Sequence, residues 1–381
     1  MDSTFQAVCE AAAIAWNVPA LAVGISIGGR RETATVGCEL DTAFRIASVT
    51  KPFTAMLALG VLDLEASTGV WPPDVRVRHL LSHTSGFDCE CGDLTRFGDG
   101  DDALGRVVSE LETVRRFVGV EQAWSYANTG YWLAAWCTAE RLGTSYEDAV
   151  AERVIRPAGL EATFFGDPAL AGTGDDAVEG RYPRARRPSG GLVSNVPDLL
   201  RFGEWQLATP STARLRIVHG KPAGGVYGLG LFGERVGGVD VWGHSGSYGG
   251  FESSFLVVPD RDAVFCGLTN ASRGSQALRE IQDVFFERVT GERRRVPATV
   301  ELPADVLEGF AGSYANSDGW VEVAVSVGGG LAVTIDDTEH LARPIGRRKF
   351  EIVGGDRAYA RFDFPLEGFG RFGSRLAERV A

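Results

Sequence analysis

An α+β fold is predicted for this chain. An antiparallel sheet built from two distant stretches of sequence packs beside a helical cluster, and a small all-β unit follows. Three observations predict it. Alternating apolar segments at Leu21–Ile27 and Arg31–Val36 return at Val239–Trp242, Glu252–Val258 and Ala263–Leu268. Helical periodicity and long loops fill residues 70 to about 210. Thr290-Gly291-Glu292-Arg293-Arg294-Arg295-Val296-Pro297 reads as a linker, after which short strands with glycine turns take over. Strands and helices do not alternate, which excludes a doubly wound parallel sheet. The expected organisation is a first domain over 1–290, a linker at 291–297 and a small β domain over 298–381.

Thr4, Phe5, Val8, Ala11, Ala12 and Trp16 place one apolar face on a helix over 3–16. Gly28-Gly29 turns the first strand into the second. Phe44-Arg45-Ile46 leads into Ser48, and residues 51–64 are helical, with Pro52 in the first turn where a missing N–H costs little. Ser48 therefore sits at a helix N-terminus. Short helices are expected over 75–81 and 145–155, and longer ones over 102–118 and 130–142. Asn195 is a good N-cap for a helix over 199–207, and 275–289 closes the first domain as a helix. Beyond the linker, strands are expected at 321–327, 331–335, 350–353 and 359–364.

Hydrophobic residues make up 44% of the 381 residues and charged ones 23%, ordinary values for a soluble globular protein. A net charge of -12 argues against nucleic acid or an anionic membrane as partner. No secretory signal is visible at the N-terminus and no apolar run reaches membrane-spanning length, so a cytoplasmic location is expected. The six cysteines are irregularly spaced and read as free thiols. Cys89-Glu90-Cys91 lacks the second pair zinc usually wants, and His79 and His83, four residues apart, have no evident third ligand. No metal and no cofactor are expected.

The chemistry begins at Ser48-Val49-Thr50-Lys51. The chain has three lysines, at 51, 221 and 349, so a Ser-x-x-Lys arises by chance in roughly one such sequence in seven. Residues three apart share a helix face, so the amine can lie beside the hydroxyl. A buried lysine of lowered pKa can take the hydroxyl proton and make the serine a nucleophile. Two further segments supply partners. In Tyr126-Ala127-Asn128, before the helix at Gly130, a tyrosine made more acidic by the lysine can act as general base, and the asparagine can position the lysine and the substrate amide. In His244-Ser245-Gly246-Ser247, at a strand end, the glycine lets substrate approach the backbone and the next N–H can point into the site.

In this order the three segments resemble the motifs of the penicillin-recognising serine hydrolases, a superfamily of class C β-lactamases, D,D-peptidases, D-aminopeptidases and family VIII esterases. His79-Leu80-Leu81-Ser82-His83-Thr84-Ser85-Gly86-Phe87 and Ser189-Gly190-Gly191-Leu192-Val193-Ser194-Asn195 resemble stretches that recur between those motifs. The resemblance covers about residues 5–290. It implies the serine β-lactamase-like transpeptidase fold, with a barrel-like C-terminal domain as in some relatives.

It also implies roles. Ser48 is acylated, Lys51 eases its deprotonation and Tyr126 shuttles the proton to the leaving group. Asn128 holds Lys51, and the N–H groups of Ser48 and Ser247, beside Gly246, form the oxyanion hole. His244 stands where β-lactamases usually carry lysine. A largely neutral histidine holds a substrate carboxylate poorly, so β-lactam hydrolysis should be weak. The expected activity is that of a serine hydrolase or acyltransferase acting on a small ester or amide, with an amine or alcohol as possible acceptor. A non-catalytic sensor or scaffold on the same fold is the reading from another class. Gly243-His244-Ser245-Gly246-Ser247 nearly spells a nucleophile elbow, but no helix follows it. The six acidic residues between Asp88 and Asp102 are expected to line the site entrance and disfavour anionic substrates.

Overall fold

A computed structural model of the chain describes residues 4–380 other than 71, 91, 176, 179, 180, 356 and 358. Strands β1 (Leu21–Ile27) and β2 (Arg30–Val36) form the N-terminal hairpin. Three short strands, β3 (Phe44–Arg45), β4 (Phe164–Phe165) and β5 (Leu192–Ser194), make a small sheet of their own. Strands β6 (Val226–Tyr227), β7 (Phe232–Val236), β8 (Val239–Tyr248), β9 (Phe251–Val258) and β10 (Ala263–Thr269) complete the main sheet. Its order is β2-β1-β10-β9-β8-β7-β6, every pairing antiparallel. The register Leu21↔Thr269 joins the two ends of the sequence.

Both faces of this sheet are covered, which is why β1 and β10 read as nearly continuous apolar runs. One face packs on the helices Phe5–Ala15 and Gly274–Thr290 through Phe5, Cys9, Leu278, Ile281 and Phe285. The other packs on the helix Val196–Ala208 and the cluster beyond it. That cluster contains Thr50–Val61 and Asn128–Leu142, whose side chains Phe53, Trp132 and Leu133 are fully buried.

The helix expected over 102–118 is shorter. It runs Ala103–Ser109 and passes through a 3₁₀ turn at Leu111–Thr113. The rest is extended because it pairs elsewhere: Asp88 N–H bonds Arg115 O, Phe117 N–H bonds Gly86 O, and Arg116 forks onto Asp74. The expected strand at 239–242 is longer and runs through His244 to Tyr248. Ser245 and Ser247 point outward and His244 and Gly246 inward, a period of two that polar residues had masked.

The C-terminal part is a closed antiparallel barrel of eight strands: β11 (Gly312–Asn316), β12 (Gly319–Ser326), β13 (Gly330–Ile335), β14 (Thr338–Gly346), β15 (Lys349–Ile352), β16 (Arg361–Leu366), β17 (Phe369–Phe372) and β18 (Arg375–Arg379). Pairing of β11 with β18 closes it. Its interior is filled by Tyr314, Phe350, Phe362, Phe364 and Phe372, whose rings stack, tilt or meet edge to face. Four of the eight strands, β11, β14, β17 and β18, were not predicted. β14 shows the reason: in Thr338-Glu339-His340-Leu341-Ala342-Arg343 the polar His340 is buried with Ala342 while the apolar Leu341 is exposed, so apolar residues do not mark the inner face.

Candidate active site

Ala47–Val49 forms a 3₁₀ turn that runs straight into the helix Thr50–Val61. Ser48 is half-buried in that turn, and Lys51 follows one turn later on the same side. Lys51 Nζ lies 3.1 Å from Ser48 Oγ and donates to the carbonyl oxygen of Ser189 at 2.7 Å. It also lies over the rings of Tyr126 and Tyr131, 4.7 and 5.4 Å from their centroids. Lys51 is fully buried and, among the described residues, has no carboxylate in ion-pair range. Burial therefore holds its pKa well below the usual lysine range, and nearby Arg186 and Arg375 push the same way. A neutral amine so placed can accept the hydroxyl proton.

Tyr126 reaches Ser48 from the other side, its hydroxyl donating to Oγ at 2.8 Å. The lysine was expected to make this tyrosine more acidic. The structure reverses that: burial raises the Tyr126 pKa well above its ordinary value, outweighing the hydrogen bond to Ser48. The phenol stays protonated and is suited to pass a proton on, not to start as a base.

Asn128 is the first residue of its helix rather than part of the preceding loop, and it was expected to hold Lys51. Its Nδ2 instead donates to Glu90 Oε1 at 2.5 Å, and Arg186 meets the same oxygen at 2.9 Å. The lysine is held by a backbone atom, the Ser189 carbonyl. Asn128 Oδ1 is buried without a partner among the described residues.

His244 is 3% exposed and packs among Tyr126, Tyr227 and Phe232, with ring centroids 6.0, 6.2 and 5.2 Å away. Its Nδ1–H donates to Ser245 O at 2.5 Å. Burial first, then the neighbouring Lys51, pushes its pKa down to about 3, so the ring is neutral. His83 accepts the Ala127 N–H on Nδ1 at 3.0 Å, and His79 accepts the Arg76 N–H on Nδ1 at 3.0 Å. Each thus satisfies a backbone donor. Of the Cys89-Glu90-Cys91 run, residue 91 lies outside the described residues; Cys89 is a buried thiol whose pKa burial pushes up to about 12.

The backbone beside Ser48 follows from two hairpins. Gly249 and Gly250, with φ of 61° and 80°, form a two-residue type I′ turn that makes Tyr248↔Phe251 a hydrogen-bonded pair. Pairs then alternate along β8 and β9, so the N–H of Ser247 points away from β9. On that side the pairing with β7 ends at Phe232↔Gly243, which leaves this N–H unclaimed by the sheet. Gly246 explains the closeness of the strand: a Cβ there would sit 2.3 Å from Ile46 O and 2.8 Å from Ser48 N. Ser48 and Ser247 thus present N–H groups from two adjoining segments.

The acidic loop does not act as a free anionic wall. Asp88 accepts from Ser317, Glu90 from Asn128 and Arg186, Asp93 from Thr95, while Asp101 pairs with Arg184 and Asp102 with Arg106. Sequence reasoning missed Glu90 and the Ser189 carbonyl. The second could not have been found by residue type, because the functional atom is backbone.

The Beta-lactamase family model matches residues 6–286. The chain belongs to the beta-lactamase family. Penicillin-binding protein 4 of Amycolatopsis lactamdurans is 28% identical over 340 residues, covering 74% of this chain and 87% of that protein. A D-aminopeptidase of Cereibacter sphaeroides (strain KD131 / KCTC 12085) is 29% identical over 258 residues, covering 58% and 49%. Among solved structures, SurE with D-Leu superposes with a TM-score of 0.80 at 22% identity, covering 99% of this chain and 98% of that one. The D-amino acid amidase of Ochrobactrum anthropi SV3, complexed with L-phenylalanine amide, gives 0.63 at 20% identity over 74% and 98%. These relatives of the beta-lactamase family place the chain within the penicillin-recognising serine hydrolases and support an enzyme of the serine hydrolase or acyltransferase kind. Among the described residues no helix is long and apolar enough to cross a membrane.

Proposed function

We propose that the protein forms an acyl-enzyme at Ser48 from an ester or small amide and passes the acyl group to water or to an amine or alcohol. The observation that carries this reading is the Ser48 hydroxyl lying between a buried amine, 3.1 Å away, and a protonated phenol, 2.8 Å away. Lys51 takes the Ser48 proton as Oγ bonds to the carbonyl carbon, and the carbonyl electron pair moves to oxygen. The N–H groups of Ser48 and Ser247 meet that oxyanion. When the intermediate collapses, the bond to the leaving group breaks and the proton reaches it through Tyr126. Deacylation repeats the steps with the acceptor's proton moving the other way.

The neutral, enclosed His244 offers no cation to a substrate carboxylate, so β-lactam turnover is weak in this reading. The named relatives, a D-aminopeptidase, a D-amino acid amidase and SurE with D-Leu, support amides or esters of D-amino acids as acyl donors to try first. A cytoplasmic location belongs to the same proposal, and fractionation of cells producing the chain tests it. The decisive experiment is intact mass spectrometry of wild type and Ser48→Ala with p-nitrophenyl esters, D-amino-acid amides and a β-lactam. An acyl adduct is expected on wild type alone. Turnover or adducts surviving in Ser48→Ala would sink the mechanism, and a folded wild type that no substrate or fluorophosphonate labels would leave the scaffold reading.

A further inference from the structure

Three consecutive residues of the loop that carries Tyr126 are held by the barrel. Trp124 O accepts from Arg371 Nη1 at 2.8 Å, Ser125 Oγ accepts from the Leu376 N–H at 3.0 Å, and the Tyr126 N–H donates to Ser374 O at 3.0 Å. All three barrel residues lie on one hairpin, β17 with β18, closed by the pair Phe372↔Arg375. Gly373 and Ser374 between them have φ of 52° and 78°, the two positive values of a type I′ turn whose twist matches its strands. Arg371 is fixed from behind. It is 2% exposed, forks onto Asp363 at 2.8 and 2.5 Å, and carries its guanidinium over the Trp124 ring.

The opposite side of the loop is held by His83, whose carbonyl takes the Ser125 N–H and whose Nδ1 takes the Ala127 N–H, each at 3.0 Å. Residues 124–127 lie outside any helix or strand, so these bonds set their backbone. We propose that the β17–β18 hairpin of the barrel is a positioning element of the active site: Arg371, Ser374 and Leu376 fix the main chain under Tyr126, and with it the reach of the tyrosine hydroxyl to Ser48. A barrel that merely followed the chain would need no bond to this loop, yet it supplies a partner to each of three successive residues.

The inference rests on the Ser48 acyl-enzyme reading, and its test separates the two. The acyl–oxygen or acyl–nitrogen bond breaks as the Ser48 ester forms, and an alkoxide or amine leaving group must collect the proton relayed by Tyr126. A p-nitrophenolate leaves as the anion and needs none. In the full chain, Ser125→Ala removes the acceptor of the Leu376 N–H. Arg371→Lys keeps a charge beside Asp363 but loses the fork that reaches Trp124 O. Rates with an alkyl ester or primary amide are expected to fall roughly 10- to 100-fold, while the p-nitrophenyl ester of the same acyl group changes within about threefold. Tyr126→Phe should show the same pattern. A proportional loss on both substrates, or no change on either, with Ser48 still labelled by a fluorophosphonate, overturns the positioning role. Turnover surviving in Ser48→Ala overturns the acyl-enzyme reading instead. Ser125→Ala leaves every barrel side chain intact and decides the matter if Arg371→Lys fails to fold.

Discussion

Lys51 is anchored by the backbone carbonyl of Ser189, 2.7 Å from Nζ, and by no carboxylate among the described residues. A cation in that position would be unbalanced, so the amine is favoured neutral, and its pKa lies well below the usual range because of burial. Since the folded pKa is lowered, the working form gains population as pH rises through it. The rate should therefore rise with pH along a limb that starts well below 10.5, measured as kcat/KM on a neutral ester. Lys51→Met should lower the rate by roughly 10³-fold or more while leaving the thermal midpoint at pH 7 equal or higher, since it removes a buried ionisable group. A rate retained in Lys51→Met, or a pH profile without that limb, would contradict the assignment.

The neutral state of His244 makes a second prediction, on stability. Its pKa falls from an ordinary 6.5 to about 3 in the fold, and that of buried His83 is lowered as well, burial being the first cause in both. Between about 6.5 and 3 the unfolded chain binds protons that the folded chain refuses. Stability is then full above the unfolded value and declines as pH falls through this window, by up to about 1.4 kcal/mol per pH unit per histidine. Urea midpoints at pH 7, 6, 5 and 4 measure it. His244→Gln should flatten the decline; an unchanged slope would mean the ring is protonated in the fold.

Much of the site could be read from residue types because the chemistry restricts them. A nucleophilic hydroxyl needs an amine at helical spacing, and in a chain with three lysines Lys51 stood out. The strands of the main sheet were legible from their alternation, and the joining of its two halves from their position at either end of the helices. What escaped notice depends on the third dimension. The anchor of Lys51 is a carbonyl 138 residues away, and the bond from Leu376 to Ser125 spans 251. The acidity of Tyr126 was misjudged because charge proximity can be guessed from a motif, whereas burial, the larger effect here, cannot. Four barrel strands were missed because a closed small barrel shows water half of every strand.

Asn128 gives a third prediction. Its amide bonds Glu90 and not Lys51, so its removal should leave the amine in place. Asn128→Ala is expected to keep fluorophosphonate labelling of Ser48 within roughly tenfold of wild type, while Ser48→Ala abolishes it. Glu90→Gln should perturb the same surroundings, because Asn128 and Arg186 both rest on its Oε1. Complete loss of labelling in Asn128→Ala would show that the asparagine holds the lysine after all.

The last prediction concerns the residue before Ser48. Ala47 has φ of 43°, in the left-handed region where a Cβ crowds the backbone, and it is 2% exposed. Such a conformation in a non-glycine residue costs about 1–2 kcal/mol. It persists because both sides of the turn are pinned: Ile46 N–H bonds Leu192 O, Ile46 O accepts from Ser253 Oγ, and Gly246 presses against Ser48 N. Glycine would adopt the same φ without strain, at some cost in unfolded-state entropy. Ala47→Gly should therefore raise stability by up to about 1 kcal/mol, seen as a higher thermal midpoint, with Ser48 still labelled. If the midpoint falls instead, the Ala47 methyl contributes packing worth more than the strain it carries. If the midpoint rises but labelling slows, the strain itself helps aim Ser48 Oγ at the carbonyl.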